Sequence, residues 1–327
     1  MQTDPETANP LRVCQVAQLP PEPSRRPAWL IENLWAHQAV GLIGGAPKCC
    51  KTYLALEIAL AVASGTPCLG RFPVHNPGPV LLFAAEDAPP QIRDRLSGLA
   101  QARRVDFDAL PVFLIIAEQL RLDIARDRQR LTDVLEQHRP RLLILDPFVR
   151  LHRLDENSAM EVSPLLADLR ALQRRFHLAV LLVHHTRKGN GPVAGQALRG
   201  SSDLHAWGDS NLYLKKADDH IRLTVEHRAA STPEPITLQL DGDPARLRVT
   251  AAQSQLRETD LNQQVLNTLN RQPDPMTQAQ LRATLKVRNQ SLTTALRRLH
   301  QQNMIRRTNG AWALCSHHPP PRTLALP

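Results

Sequence analysis

The stretch Val40-Gly41-Leu42-Ile43-Gly44-Gly45-Ala46-Pro47-Lys48-Cys49-Cys50-Lys51-Thr52 decides the reading of this chain. Its apolar start predicts a short buried strand over 40–43, and the apolar run after it predicts a helix from Thr52 to Ser64. Between them lies a loop that follows the pattern G-x-x-x-x-G-K-[ST], with Gly45 as the first glycine and Lys51-Thr52 as the end. In that context backbone N–H groups curl around phosphate oxygens at a helix N-terminus. The cradle runs Gly45, Ala46, Pro47, Lys48, Cys49, Cys50, Lys51, Thr52 and Tyr53. Lys51 is expected to neutralise the outer phosphates and the Thr52 hydroxyl to ligate Mg²⁺. Cys50 stands where the pattern has glycine. The backbone conformation that glycine usually adopts there costs other residues about 1–3 kcal/mol, but cysteine is small and the loop can still form. The alternative is a strand–turn–helix that no longer binds nucleotide. Cys49 and Cys50, at a helix N-terminus beside Lys51, are expected to have lowered thiol pKa values, which leaves a redox role open.

Outward from the loop, continuous apolar strands alternate with amphipathic helices. Strands are predicted at Val80–Ala84, Phe113–Ile116, Leu142–Leu145 and Leu178–Val183, and helices at Gln91–Ala100, Asp127–His138 and Pro164–Phe176. Leu212–Leu214, Ile221–Glu226 and Ile236–Leu240 read as late strands in antiparallel hairpins. This is an α/β pattern, a mostly parallel sheet with helices on both faces. Two of its strands end in acids: Glu86 and Asp87 follow the first, and Asp146 the third. A carboxylate at the end of a strand next to the phosphate-loop strand can hold Mg²⁺, and a second can orient the attacking water. Asp146 is assigned to the metal and Glu86 to the water; the bland alternative for each is a capping or loop acid. Leu178–Val183 leads into His184-His185, placed to sense a terminal phosphate. The glycine-rich loop Lys188–Arg199 is either a nucleic-acid contact or a simple connection.

Composition changes near residue 250. The expected organisation is a leader over 1–27, an α/β domain over 28–250, a polar linker over 251–259, a small domain over 260–315 and a Pro-rich tail over 316–327. The small domain has three predicted helices, Leu261–Asn270, Thr277–Thr284 and Asn289–Asn303. Two short strands follow around Asn309-Gly310, a strong hairpin dipeptide. Three helices and a hairpin make a winged helix-turn-helix. Its third helix buries Leu292, Leu296 and Leu299 and offers Arg288, Asn289, Gln290 and Thr293 to DNA, while the wing adds Arg306 and Arg307. A winged helix used for protein contacts is the alternative.

The 327 residues carry a net charge of +9, which favours polyanionic partners, nucleic acid first. Aromatic residues make up only 4%, which argues against an extended platform of stacked bases. The N-terminus MQTDPETANP has no apolar stretch behind a basic start, and no stretch approaches a membrane span, so a cytoplasmic location is expected. The five cysteines show no metal-ligand spacing, in keeping with a reducing compartment.

Taken together, the segments WLIENLWAHQAVGLIGGAPKCCKTYLALEIALAVASG, LLFAAED, IRDRL, LLILDPF, LLVHHTRKG and ALRGSSDLHAWGDSNLYL resemble the RecA-like ATPases of the RepA type, over roughly residues 28–250. That group includes hexameric plasmid replicative helicases and ATPases of phages and mobile elements. The resemblance implies ATP hydrolysis at the subunit interfaces of a homo-oligomeric ring, a hexamer being favoured. It gives Lys51 and Thr52 the phosphate loop, Glu86 the catalytic glutamate, Asp146 the second acidic motif and His185, before His184, the sensor. It places a cationic finger, serving the neighbouring subunit, where this chain has Lys215 and Lys216 rather than arginine; Arg199 is a further candidate. Lysine is a poorer planar phosphate clamp than arginine, so slow turnover is expected. The leading function is an ATP-driven, DNA-associated, helicase-like motor of a plasmid, phage or mobile element, using ATP and Mg²⁺. The alternative is an ATP-gated DNA-binding regulator that does not unwind DNA. A third class is a protein-interaction module with an inactive phosphate loop.

Overall fold

The computed structural model describes residues 13–19, 29–156, 158–185, 202–217, 220–243, 245–250, 252–272, 274–285, 287, 289–308 and 310–315. The chain divides into two compact units, Met1–Val249 and Thr250–Pro327.

The first unit opens with a small antiparallel pair, β1 (Trp29–Ile31) and β2 (Trp35–Ala36), which the sequence pattern did not flag. Among the described residues its main sheet has nine strands: β3 (Val40–Gly45), β4 (Val80–Ala84), β5 (Val112–Leu114), β6 (Leu142–Asp146), β7 (Ala179–His185), β8 (Ser210–Lys216), β9 (Ile221–His227), β10 (Ile236–Asp241) and β11 (Arg246–Val249). They lie in the order β11-β10-β9-β8-β3-β7-β6-β4-β5. From β5 to β8 every neighbouring pair is parallel, and from β8 to β11 every pair is antiparallel. The expected mostly parallel sheet is therefore present, with an antiparallel extension one strand longer than expected.

Among the described residues this unit has five α-helices: α1 (Lys51–Ser64), α2 (Pro89–Arg103), α3 (Ala125–His138), α4 (Ala159–Phe176) and α5 (Ser202–Trp207). Successive strand residues point to opposite faces. Leu142 and Ile144 thus join Leu54, Leu56, Ile92 and Leu96 of α1 and α2 in one apolar cluster. Leu143 and Leu145 join Leu131, Leu135, Leu165 and Leu169 of α3 and α4 in another. Two buried faces explain why these strands read as unbroken apolar runs rather than as alternation. α1 is buried on nearly all sides, and its Glu57 is only 2% exposed. That carboxylate is compensated by Arg103 of α2 and by the Leu69 backbone N–H at 2.8 Å, as a buried charge requires. α4 begins five residues before Pro164, where the sequence pattern had its start. Pro164 sits in the second turn, so the residue that resembled a first-turn proline is interior.

The second unit contains α6 (Ala252–Arg271), α7 (Gln278–Leu285) and α8 (Asn289–Gln301), with β12 (Met276–Thr277), β13 (Ile305–Thr308) and β14 (Ala311–Leu314) in the order β12-β14-β13. Val265, Leu269, Leu281, Leu292, Leu296, Leu299, Ile305 and Trp312 form its core. Three helices and a wing are present as expected. The polar stretch Gln253–Thr259, read as a linker, is instead helical and continuous with α6. Glutamine, arginine and glutamate are good helix formers, so polarity alone did not mark a break. Among the described residues no helix is long and apolar enough to cross a membrane.

Candidate functional site

The loop between β3 and α1 turns onto the helix N-terminus through two left-handed residues, Lys48 at φ 62° and Cys50 at φ 67°. Cys50 thus takes up the conformation for which the pattern has glycine, at about 1–2 kcal/mol for a residue with a side chain. A side chain at Gly45 would force its surroundings, backbone included, to shift. A Cβ there would stand 2.5 Å from the Cys49 sulfur and 2.6 Å from the Leu214 carbonyl oxygen. Lys51 is buried, and its ammonium donates to the carbonyls of Gly45 (3.0 Å) and Ala46 (2.9 Å), spanning the loop. Burial pulls the Lys51 pKa below the ordinary lysine value, with Cys49, Asp146 and Glu86 opposing the shift.

The loop faces a cavity of about 330 Å³ lined by residues that include Lys48, Cys50, Lys51, Thr52, Asp146 and His185. The Thr52 hydroxyl donates to Asp146 Oδ2 at 2.7 Å. Burial pushes the Asp146 carboxyl up to about 6, helped by Asp87 and Glu86 and opposed by the Thr52 hydrogen bond and Lys51. A hydroxyl and a carboxylate so close, beside Lys51, form a hard-oxygen pair suited to Mg²⁺. Thr52 and Asp146 are the residues that could hold it.

Strand order differs from the simplest expectation. The neighbours of β3 are β7 and β8; Asp146 ends β6, one strand further out, and Glu86 follows β4, two strands out. Asp146 nevertheless reaches Thr52, because α1 packs across that part of the sheet. Glu86 lines the cavity, but its carboxylate is drawn to Arg150, Nε to Oε1 3.1 Å. Asp87, which also lines the cavity, pairs with Arg95 at 2.6 Å, and the Arg95 guanidinium lies 5.0 Å from the ring centroid of Tyr53. Neither Arg95 nor Arg150 was singled out in the sequence. The signal for Arg95 was its position two helical turns after Asp87; Arg150 belongs to no motif.

The two histidines part company. His185 ends β7 level with Gly45, half-buried and lining the cavity. His184 faces the other side of the sheet, 1% exposed, with its Nδ1 3.8 Å from Glu156 Oε1. Alternation along a strand makes this separation unavoidable. The same rule divides the lysine pair. Leu212 and Leu214 of β8 pack with the cluster of α1, and Tyr213 with the opposite one. Lys216 accordingly falls on the phosphate-loop face and Lys215 on the other; both are exposed. The expected lowering of the thiol pKa values is corrected. Burial raises both Cys49 and Cys50, outweighing Lys51 at Cys49, and Lys216 and Lys51 at Cys50. Arg199 lies outside the described residues, as does the loop Lys188–Arg199.

In the second unit Arg306 and Arg307 are exposed on β13, and the Arg307 guanidinium lies 5.5 Å from the Trp312 ring centroid. Thr293 is half-buried and accepts a hydrogen bond from Gln278 Nε2 at 2.8 Å, so its hydroxyl ties α8 to α7. Arg288 lies outside the described residues; of Asn289 and Gln290 the backbone alone is described, as the first turn of α8.

A family model described as an AAA domain matches residues 5–191. A second, described as the MarR family, matches residues 260–311. Among solved structures, one described as an ATPase domain is similar, with a TM-score of 0.47 at 17% identity over 62% of this chain and 81% of that one.

Proposed function

The chain belongs to the AAA-domain family, whose model spans more than half of it, and on that premise we propose that this protein is an ATP-hydrolysing, DNA-associated motor with a RecA-like core. The observation that carries the reading is the meeting of Lys51, Thr52 and Asp146 at one cavity, with Glu86 and His185 on its wall.

Lys51 would exchange its two loop carbonyls for β- and γ-phosphate oxygens, a stronger charge-assisted contact. Thr52 and Asp146 would hold Mg²⁺, which when bound supplies charge neutralisation at the phosphates. Glu86 would orient the attacking water and accept its proton, and His185 would report the state of the terminal phosphate. Cations brought by a neighbouring copy would stabilise the transition state, with Lys216 or Arg199 as candidates. The resemblance to the RepA type supports a hexameric ring and a role in moving a plasmid, phage or mobile element. The winged helix, with Arg306 and Arg307 exposed, supports DNA as the partner. A regulator that uses ATP only to control assembly is the second reading, favoured by the cysteine at position 50 and by the arginine that holds Glu86.

The deciding experiment measures phosphate release with and without single- and double-stranded DNA, beside strand separation of a forked duplex, with Lys51→Ala as control. DNA-stimulated turnover with strand separation supports the motor. ATP-dependent assembly on duplex DNA without strand separation selects the regulator, and absence of ATP binding removes both.

A further inference from the structure

The central strands are apolar on both faces, but the antiparallel extension β8–β11 is not. One of its faces, with Leu223, Val225, Leu238 and Leu247, packs into the cluster of α1. The residues that alternate with these point the other way and are polar. Register fixes what stands on that second face. Lys215 of β8 lies directly across from Arg222 of β9, and Arg222 across from Thr237 of β10. Gln239 of β10 lies across from Arg248 of β11, and Asp241 across from Arg246. Lys215, Arg222, Gln239 and Arg248 are exposed, and Arg246 is half-buried. Among the described residues Lys215, Arg222, Arg246 and Arg248 make no ion pair. The acids of the face, again among the described residues, are Asp241 and, at its far end, Glu226, whose Oε2 lies 3.8 Å from His205 Nδ1. The turn Asp218-Asp219 lies outside the described residues.

Like charges directly opposite each other on neighbouring strands destabilise a sheet. The Lys215–Arg222 pair is therefore unfavourable as it stands, and a bound polyanion would reverse the sign of its effect. We propose that this face of the antiparallel extension is a second DNA-docking surface, one that holds the phosphate backbone of duplex DNA without reading its bases. The inference rests on the reading of DNA as the partner, and it adds to the winged helix a contact made by the large unit itself. Charge complementarity selects a polyanion. Neighbouring strands lie about 4.8 Å apart, so Lys215 and Arg248, three strands from one another, are separated by about 14 Å. A duplex carries about eight charges over that length, enough to meet all four cations. Between Ser210 and Val249 the sequence has a single Phe, Tyr or Trp, Tyr213, and it is buried. The face thus lacks the exposed rings on which single-strand binders stack bases, and backbone contact with a duplex is what its chemistry fits.

The test is binding of a fluorescent duplex of arbitrary sequence, followed by anisotropy over a series of salt concentrations. The proteins are full-length wild type, Arg222→Gln/Arg248→Gln and Arg222→Lys/Arg248→Lys. Both positions are exposed and neither lines the nucleotide cavity. Loss of two phosphate contacts is expected to lower the salt slope of log Kd by about 2 and to weaken binding about tenfold, whereas the lysine variant keeps the slope. The glutamine variant is expected to melt at the wild-type temperature or above it, because a repulsion has been removed, and to hydrolyse ATP at the wild-type rate when DNA is absent. In an Arg306→Ala/Arg307→Ala background the same loss is expected to add to that of the wing. An unchanged slope and Kd in the glutamine variant overturns the proposal. A loss confined to a single-stranded oligonucleotide overturns the assignment to duplex. A fall in turnover without DNA also overturns it and gives the face to a neighbouring copy. A wild type that binds neither form of DNA is a failure of the DNA reading itself, recognisable before any variant is compared.

Discussion

The two compact units put charge to use in opposite ways. In the large one, Leu142–Leu145 and Leu178–Leu182 are all fully buried, and the start of α1 and the end of β6 bring polar groups into a low-dielectric end: Lys51 is 5% and Asp146 7% exposed. There a charge is held by burial and by near neighbours, and its pKa moves accordingly. In the small unit one modest cluster supports a wing whose Arg306 and Arg307 stand in solvent. Charge exposed in this way acts through water and is screened by salt. On the proposed function the first unit carries the chemistry and the second the attachment, and the contrast sets the size of effect expected from each kind of substitution.

The largest effect belongs to the buried cation. Lys51→Ala is expected to lower phosphate release by at least about a hundredfold, as loss of a preorganised charge does; near-normal turnover would break the contrast at its root. Next comes the small core. Leu296→Ala should remove about 2–5 kcal/mol, a large share of what so small a unit holds. Calorimetry should then show an early transition for the small unit and an unmoved one for the large unit. A single shifted transition would mean that the units unfold together.

The third prediction is a matter of pH. Native Asp146 keeps its proton to about pH 6, whereas the ordinary value is 3.8, so between these the native state binds more protons than the unfolded one. Stability therefore falls as pH rises from about 4 to 6, and the whole penalty is present above that range. Asp146→Asn should stabilise the nucleotide-free protein at pH 8 by about 2–3 kcal/mol and make little difference at pH 4. Melting curves at the two pH values check this, and equal shifts at both would refute the burial argument. The smallest effect is that of an exposed arginine. Arg306→Ala should weaken DNA binding by severalfold and reduce the salt slope of log Kd by about 1. An unchanged slope would take Arg306 off the phosphate contacts.

Legibility in the sequence followed the range of the interactions. The phosphate loop could be read because its chemistry is local: Gly45 to Thr52 are contiguous, and their roles depend on a strand before and a helix after. The left-handed turn at Cys50 also followed from the pattern, although the residue there is not glycine. The thiol reading failed because a helix N-terminus and a nearby lysine can be seen in sequence, while burial, the larger influence here, cannot. The helix over Gln253–Thr259 was not legible because a polar helix that extends an amphipathic one has no breaker to announce it. Arg95 and Arg150 were invisible because each meets its acid through folding, across 8 and 64 residues of chain.

By itself the sequence determined an α/β core with a phosphate-loop pattern and a winged helix after it, since periodicity and motif spacing are properties of neighbouring residues. Only the tertiary structure decided which of two adjacent residues faces the cavity, His185 rather than His184, because that depends on the register of β7 against β3. It also decided that Asp146 meets Thr52 from a strand not adjacent to the phosphate loop, and that Glu86 is held by Arg150. Strand order and the packing of helices over the sheet set these meetings, and neither is written in any local run of residues.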